Sequence, residues 1–288
     1  WKPDWVVNKI KAAADSINTK KVACLGLAFK PDIDDLRESP AVSVVELLIS
    51  QGFEVFCVEP NINNHKKFKL IVLFGLLGDF DSFEYAINLK NFIDKNHYKN
   101  LDIFGIAIRN QNGKEKFCKF TGFQKENLIV VSDNQIHNNL KVSRGLDIGL
   151  GGWINMLLML SGINSFKTIK EVIRGYTGDR KAKQIYLGSD KINVLKFLKF
   201  SGNSFKKVFG DGYLRPFELA TFRLNNMNEI IQNWSDYIFN EQYLPQRGAS
   251  FLLNNKNQII YKFFSNDVLG YSSNMRDPLG FLTDLVKD

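Results

Sequence analysis

Sulfur is scarce in this chain. Its 288 residues hold three cysteines, Cys24, Cys57 and Cys118, and no Cys-x-x-Cys. A disulfide framework is not expected, and a reducing compartment, the cytoplasm, is. Histidine is as rare: His65, His97 and His137 show no zinc-type spacing, so no metal is expected. No apolar run reaches the roughly 18 residues a membrane-crossing helix needs, and no secretory signal pattern occurs. Internal repeats and low-complexity linkers are also lacking. Trp1 is not an initiator, so a longer natural chain is expected.

What is present is an ordinary globular composition, 44% hydrophobic, long enough for one large or two ordinary domains. Twenty-four phenylalanines read as a compositional habit of the source. The formal charge of +8 is uneven. Residues 1–62 hold seven Lys/Arg against nine Asp/Glu, net −2, whereas residues 63–288 hold 31 against 21, net +10. This break, and the short polar junction Asn61–Lys67, divide the chain into 1–62 and 67–288.

In the first part, Lys21–Leu25 reads as a buried strand and Gly26–Glu38 as a loop. Ser39 then stands as N-cap with Pro40 at the first helical position. Val42, Val45, Leu48 and Ile49 share a helix face, Gly52 is the C-cap, and Glu54–Val58 is a second strand. A strand–helix–strand unit of this kind predicts parallel pairing. Lys30 and Arg37 suit phosphate or sugar oxygens near a helix N-terminus, with Asp34, Asp35 and Glu38 orienting them. A solvated loop that caps a helix accounts for the same residues. The run from Cys24 to Ala41 resembles the start of the UDP-binding C-terminal domain of UDP-glucose/GDP-mannose dehydrogenases, the UDP-N-acetylmannosamine branch in particular. The resemblance implies UDP-sugar contacts for Lys30 and Arg37, and the end of a long central helix for Trp1–Asp15. It also implies NAD as cofactor, but only in the intact family. The NAD domain and catalytic cysteine of that family precede everything here. Cys24, on a strand, reads as core, and no cofactor is expected.

The second part alternates again. Strands are predicted at Lys69–Phe74, Leu101–Ile108 and Leu128–Val131, with helices running to about Lys95, over Lys114–Phe120 and near His137. Gly248–Leu253 and Gln258–Phe264 flank Asn254–Asn257 as a hairpin, and Pro278–Val286 is a terminal helix. The order β-α-β-α-β, hairpin, helix is that of a thioredoxin fold. With Lys116–Phe123 and Gln246–Phe251, it resembles the AhpC/TSA peroxiredoxin-like family, of a cyanobacterial type, over about Lys67–Leu282. The expected class is α/β: a partial Rossmann-like βαβ unit, then a thioredoxin-like domain with a helical insertion at about 153–243.

The resemblance implies a redox cysteine between the first strand and helix, where the helix N-terminus favours thiolate. Asp79 and Ser82 occupy those positions, and neither forms a sulfenic acid or a disulfide. Asp81 and Glu84 have the spacing of a capping box. Cys118, the remaining thiol of this part, is either core packing or a relocated redox group favoured by Lys116 and Lys119; the latter needs a thiol reductant as partner. Residues 180–207 hold eight Lys/Arg and the single acid Asp190, with Phe197, Phe200 and Phe205 interleaved. They read as a solvated face with aromatics turned inward, or as a contact with an anionic membrane surface. No specific nucleic acid is expected, because no recognised motif is present. Three functions follow: a peroxiredoxin-like relative without its usual cysteines, a non-enzymatic binding or membrane-associated module, and a UDP-sugar-binding dehydrogenase fragment.

Overall fold

The computed structural model describes residues 2–28, 39–59, 67–96, 98, 100–109, 111–163, 165–194 and 198–286. Lys30 and Arg37 lie outside the described residues, as do His65, His97 and Phe197. The chain forms two compact units, 1–66 and 67–288.

In the first unit, α1 (Lys2–Ser16) precedes β1 (Lys21–Leu25), α2 (Pro40–Ser50) and β2 (Glu54–Val58). The strands pair in parallel, Lys21 opposite Glu54 through Leu25 opposite Val58, as a strand–helix–strand crossover requires. Proline opens α2 because its missing N–H costs nothing there. Ser39 does not cap through its side chain; its hydroxyl donates to the Leu27 carbonyl at 2.6 Å. Gly52, at φ +82°, turns the chain out of the helix. Val44 and Leu48 pack on Val7, Ala14 and Phe53, while Ile49 is exposed. Among the described residues the sheet has two strands, and Leu25, Phe56 and Val58 face solvent. Cys24 is accordingly half-buried rather than core.

The second unit is built on a five-stranded sheet. In chain order its elements are β3 (Phe68–Leu76), α3 (Phe80–Asn96), β4 (Leu101–Ile108), α4 (Gln111–Thr121), β5 (Leu128–Val131) and α5 (Gln135–Asn139). The helical insertion follows: α6 (Gly152–Leu160), α7 (Phe166–Thr177), a hairpin of β6 (Lys191–Val194) and β7 (Leu198–Ser201), α8 (Asn203–Phe209), α9 (Glu218–Gln232) and α10 (Trp234–Tyr237). The chain then returns through β8 (Ala249–Leu253), β9 (Ile259–Phe264) and α11 (Gly280–Leu285). The sheet order is β5-β4-β3-β8-β9, parallel between β5, β4 and β3 and antiparallel across β3-β8 and β8-β9.

This mixed sheet, flanked by helices, is the thioredoxin-like arrangement the residue order predicts. The central strand β3 is buried along nearly its whole length, which is why it reads as a continuous apolar run. Its core joins Leu70, Val72 and Phe74 to Phe83, Phe117 and Leu252. The β3–β4 register slips between Leu73 and Leu76. At that irregularity the buried His137 ring holds the Phe74 carbonyl through Nε2 at 2.7 Å. Burial lowers the His137 pKa, so the neutral imidazole donates there.

The basic stretch is ordered by one buried pair. Arg215 and Glu218 are fully buried and meet at 2.8 Å, and Glu218 accepts from the backbone N–H groups of Ile185 and Tyr186. Tyr186 stacks on Phe205, which also meets Phe200, so these aromatics turn inward. Among the described residues no helix is long and apolar enough to cross a membrane.

Candidate functional site

The turn from β3 into α3 is where a thioredoxin-like domain keeps its chemistry, and here it buries carboxylates. Asp79, Asp81 and Glu84 are 2%, 8% and 2% exposed. Isolated buried carboxylates are expensive, so each needs a partner.

Asp79 is the helix cap: its Oδ1 accepts from the Ser82 N–H at 2.6 Å. The cap expected at Asp81 is therefore displaced by two positions, to Asp79, because α3 begins at Phe80. Ser82 turns its hydroxyl to the Leu76 carbonyl at 3.4 Å. Asp81 faces inward, accepting from Arg247 Nη1 at 2.9 Å and from the Leu269 N–H at 2.7 Å. Arg247, itself 1% exposed, is fixed by the Pro245 and Leu244 carbonyls.

One turn further along, Glu84 takes Arg223 in a forked contact, 2.6 Å to Nε and 3.1 Å to Nη2, and the Tyr271 hydroxyl at 3.2 Å. Arg223 continues to Glu171, which in turn holds Arg174 at 2.6 Å. Two of these arginines come from the insertion, Arg174 from α7 and Arg223 from α9. The insertion thus supplies countercharge to an acidic face of α3.

Burial drives the Asp79 carboxyl upward against the pull of Arg247, and raises Asp81 to about 7, with Asp79 and Glu84 adding repulsion. For Arg223 the opposing effect of burial is outweighed by Glu84 and Glu171, and its pKa rises. The Tyr85 hydroxyl meets Ser250 at 2.7 Å, and its ring stacks on Tyr271 at 4.6 Å. The cavity beside these groups is about 20 Å³, room for about one water. Gly75 lines it; a Cβ there would strike the Asp79 carboxylate and the Gln246 carbonyl.

Cys118 sits elsewhere, on α4, in the apolar core beside Phe117. Burial pushes its thiol up to about 11, opposed by Lys114. The thiolate a redox cysteine needs is thereby disfavoured. Lys116, expected to support it, turns instead to Asp236 at 2.5 Å and Asn233 at 2.9 Å. Asp79 and Ser82 therefore come together in one turn, and Cys118 does not join them. Among the described residues no group of three or more His, Cys, Asp or Glu is placed to hold a metal.

The arginines were missed by sequence reasoning. A signal existed on the helix: Asp81, Glu84, Tyr85 and Asn88 repeat at helical spacing, a polar stripe on a face that is buried. Nothing local marks Arg174, Arg223 or Arg247 as the partners.

These features define a thioredoxin-like α/β domain whose β3–α3 turn and following helix carry buried ion pairs. Residues 87–267, well over half of the chain, match the family described as AhpC/TSA antioxidant enzyme, and the chain belongs to that family. Residues 23–110 match the UDP-binding domain of the UDP-glucose/GDP-mannose dehydrogenase family. The two matches overlap over 87–110, within a βαβ stretch of the kind both architectures use.

Similar curated proteins include UDP-N-acetyl-D-mannosamine dehydrogenase of Campylobacter jejuni, 45% identical over 101 residues, 32% of this chain and 25% of that protein. The protein of the same name from Yersinia pestis is 42% identical over 107 residues, 34% of this chain and 25% of that protein. That of Escherichia coli (strain K12) is 48% identical over 75 residues, 23% and 18%. The chain thus spans a quarter or less of the length of these relatives. No solved structure matches.

Proposed function

We propose that the second unit is a non-peroxidatic member of the AhpC/TSA family, a binding domain in which ion pairs have replaced thiol chemistry. The observation that carries this reading is the β3–α3 turn, where Asp79 caps the helix through the Ser82 N–H and Asp81 pairs with the buried Arg247; Asp79 and Ser82 are the residues the family resemblance aligns with redox cysteines. A peroxide cycle needs a thiolate that attacks and is oxidised to sulfenic acid. Oxygen side chains supply neither step, and a cavity of about 20 Å³ admits no substrate beyond a water-sized one. Cys118, held in the core with its thiol raised to about 11, is a packing residue.

A second reading applies to the first unit alone. The matched relatives are named for UDP-N-acetyl-D-mannosamine oxidation. The first unit is proposed to be a UDP-sugar dehydrogenase fragment that binds a nucleotide sugar through Lys30 and Arg37. The rest of the reading, a cytoplasmic location and no cofactor, goes with it.

Hydroperoxide reduction by the full chain, followed with a thiol reductant present, tests the main reading. No turnover above the uncatalysed rate is expected, in wild type or in Cys118→Ser. A kcat/KM of about 10⁴ M⁻¹ s⁻¹ or more, in the ordinary enzymatic range, overturns it.

A further inference from the structure

A second cavity of about 250 Å³ lies between one face of α7 and the 267–276 loop that follows β9. It approaches the size range of small-ligand pockets, about 300 Å³ upward. Lys167, Lys170 and Arg174, at helical spacing on α7, line it together with Arg276 from the loop. Ser272, Ser273 and Asn274 add short polar groups, and Phe263, Leu269 and Met275 give an apolar floor.

The acids nearby are engaged. Glu171 is held by Arg174 and Arg223, Asp267 accepts the Ser165 hydroxyl at 2.6 Å, and Asp179 accepts from Arg276 at 2.6 Å. Lys167 is 3.9 Å from Asp267, and Lys170 forms no ion pair among the described residues. The cleft therefore offers positive charge in excess, beside hydroxyls and an apolar surface.

We propose that this cleft binds the phosphate group of a small organic phosphate monoester, with Lys170 and Arg276 meeting the phosphate oxygens and the apolar floor taking the organic part. Guanidinium and ammonium donors to phosphate make the strong, charge-assisted bonds such a site needs. The cleft is also wired to the redox turn. Leu269, on its floor, donates its backbone N–H to Asp81, and Glu171, in its wall, joins Arg223 and Glu84. The inference deepens the binding reading given above, yet the two fail separately. Peroxide turnover tests that reading, and anion binding tests this one.

Isothermal titration of the full chain at constant ionic strength is the experiment, with phenyl phosphate and inorganic phosphate as probes. Phenyl phosphate is expected to bind saturably, and more tightly than inorganic phosphate because only it reaches the apolar floor. Lys170→Glu is expected to weaken it about tenfold or more, while Lys119→Glu, on the exposed side of α4, leaves it unchanged. The proposal is overturned by an absence of saturable binding at millimolar probe to protein with a native circular dichroism spectrum. Binding indifferent to Lys170→Glu, or weakened equally by Lys119→Glu, overturns it as well.

Discussion

The chain contains the same strand–helix–strand module twice, and the two copies fare differently. In the first, β1-α2-β2, the two strands pair with no third among the described residues, and Leu25, Phe56 and Val58 are exposed. In the second, β3-α3-β4, further strands pair on both sides, and Leu70, Val72 and Leu76 are wholly buried. The local signals are equally good in both. What differs is the number of partners that come later in the chain, so a well-formed module is not by itself a domain. Within the second unit, Asp81 and Glu84 on α3 are buried and paired with Arg247 and with Arg223 of the insertion, whereas along α7 Lys167 and Lys170 remain in solvent.

The largest expected effect comes from cutting the chain between the units. Residues 67–288 should melt as one cooperative transition by circular dichroism, and residues 1–66 alone should show none, because a two-stranded sheet is marginal at best. A sharp transition from the short piece would erase the contrast.

Next is the buried bridge between α3 and α9. Arg223→Ala leaves Glu84 buried without its forked partner and should cost about 3–5 kcal/mol in denaturant unfolding. An effect near zero would mean that the pair is a surface contact, contrary to its burial.

A smaller effect is expected from pH. The Asp81 carboxyl lies at about 7 in the folded chain against an ordinary 3.8. Folded protein therefore holds one more proton than unfolded protein across that window, and stability falls as pH rises through it. The loss approaches about 1.4 kcal/mol per pH unit and ends above the folded value. Unfolding midpoints measured between pH 5 and pH 8 should show this slope in wild type and a smaller one in Asp81→Asn, the remainder coming from Asp79.

Much of the fold was legible in the residues. Leu101–Ile108 and Leu128–Val131 form strands at the bounds their apolar runs predict, and the Asn254–Asn257 turn joins β8 to β9. Hydrophobic period and turn chemistry are local, so they can be read locally. The hairpin β6-β7 within the basic stretch was not read from the sequence, although Lys191-Ile192-Asn193-Val194 alternates as a short strand does, with Ile192 and Val194 buried beside Phe200, Phe205 and Leu224. The turn at Asp79 was legible as a place without sulfur. Its ion pairs were not, since Glu84 and Arg223 are 139 positions apart and only tertiary packing brings them together.

The most direct test of the central claim sets the thiols of the two units against each other. Cys57 is exposed on β2, and Cys118 is buried on α4 with its thiol pushed up to about 11. Native protein treated with hydrogen peroxide or an alkylating reagent, digested and followed by site-resolved mass spectrometry, gives a rate for each. Cys57 reacting first, with Cys118 modified only on unfolding, is the expected result. Oxidation of Cys118 faster than Cys57 in the folded chain would contradict the claim that this AhpC/TSA domain has given up thiol chemistry.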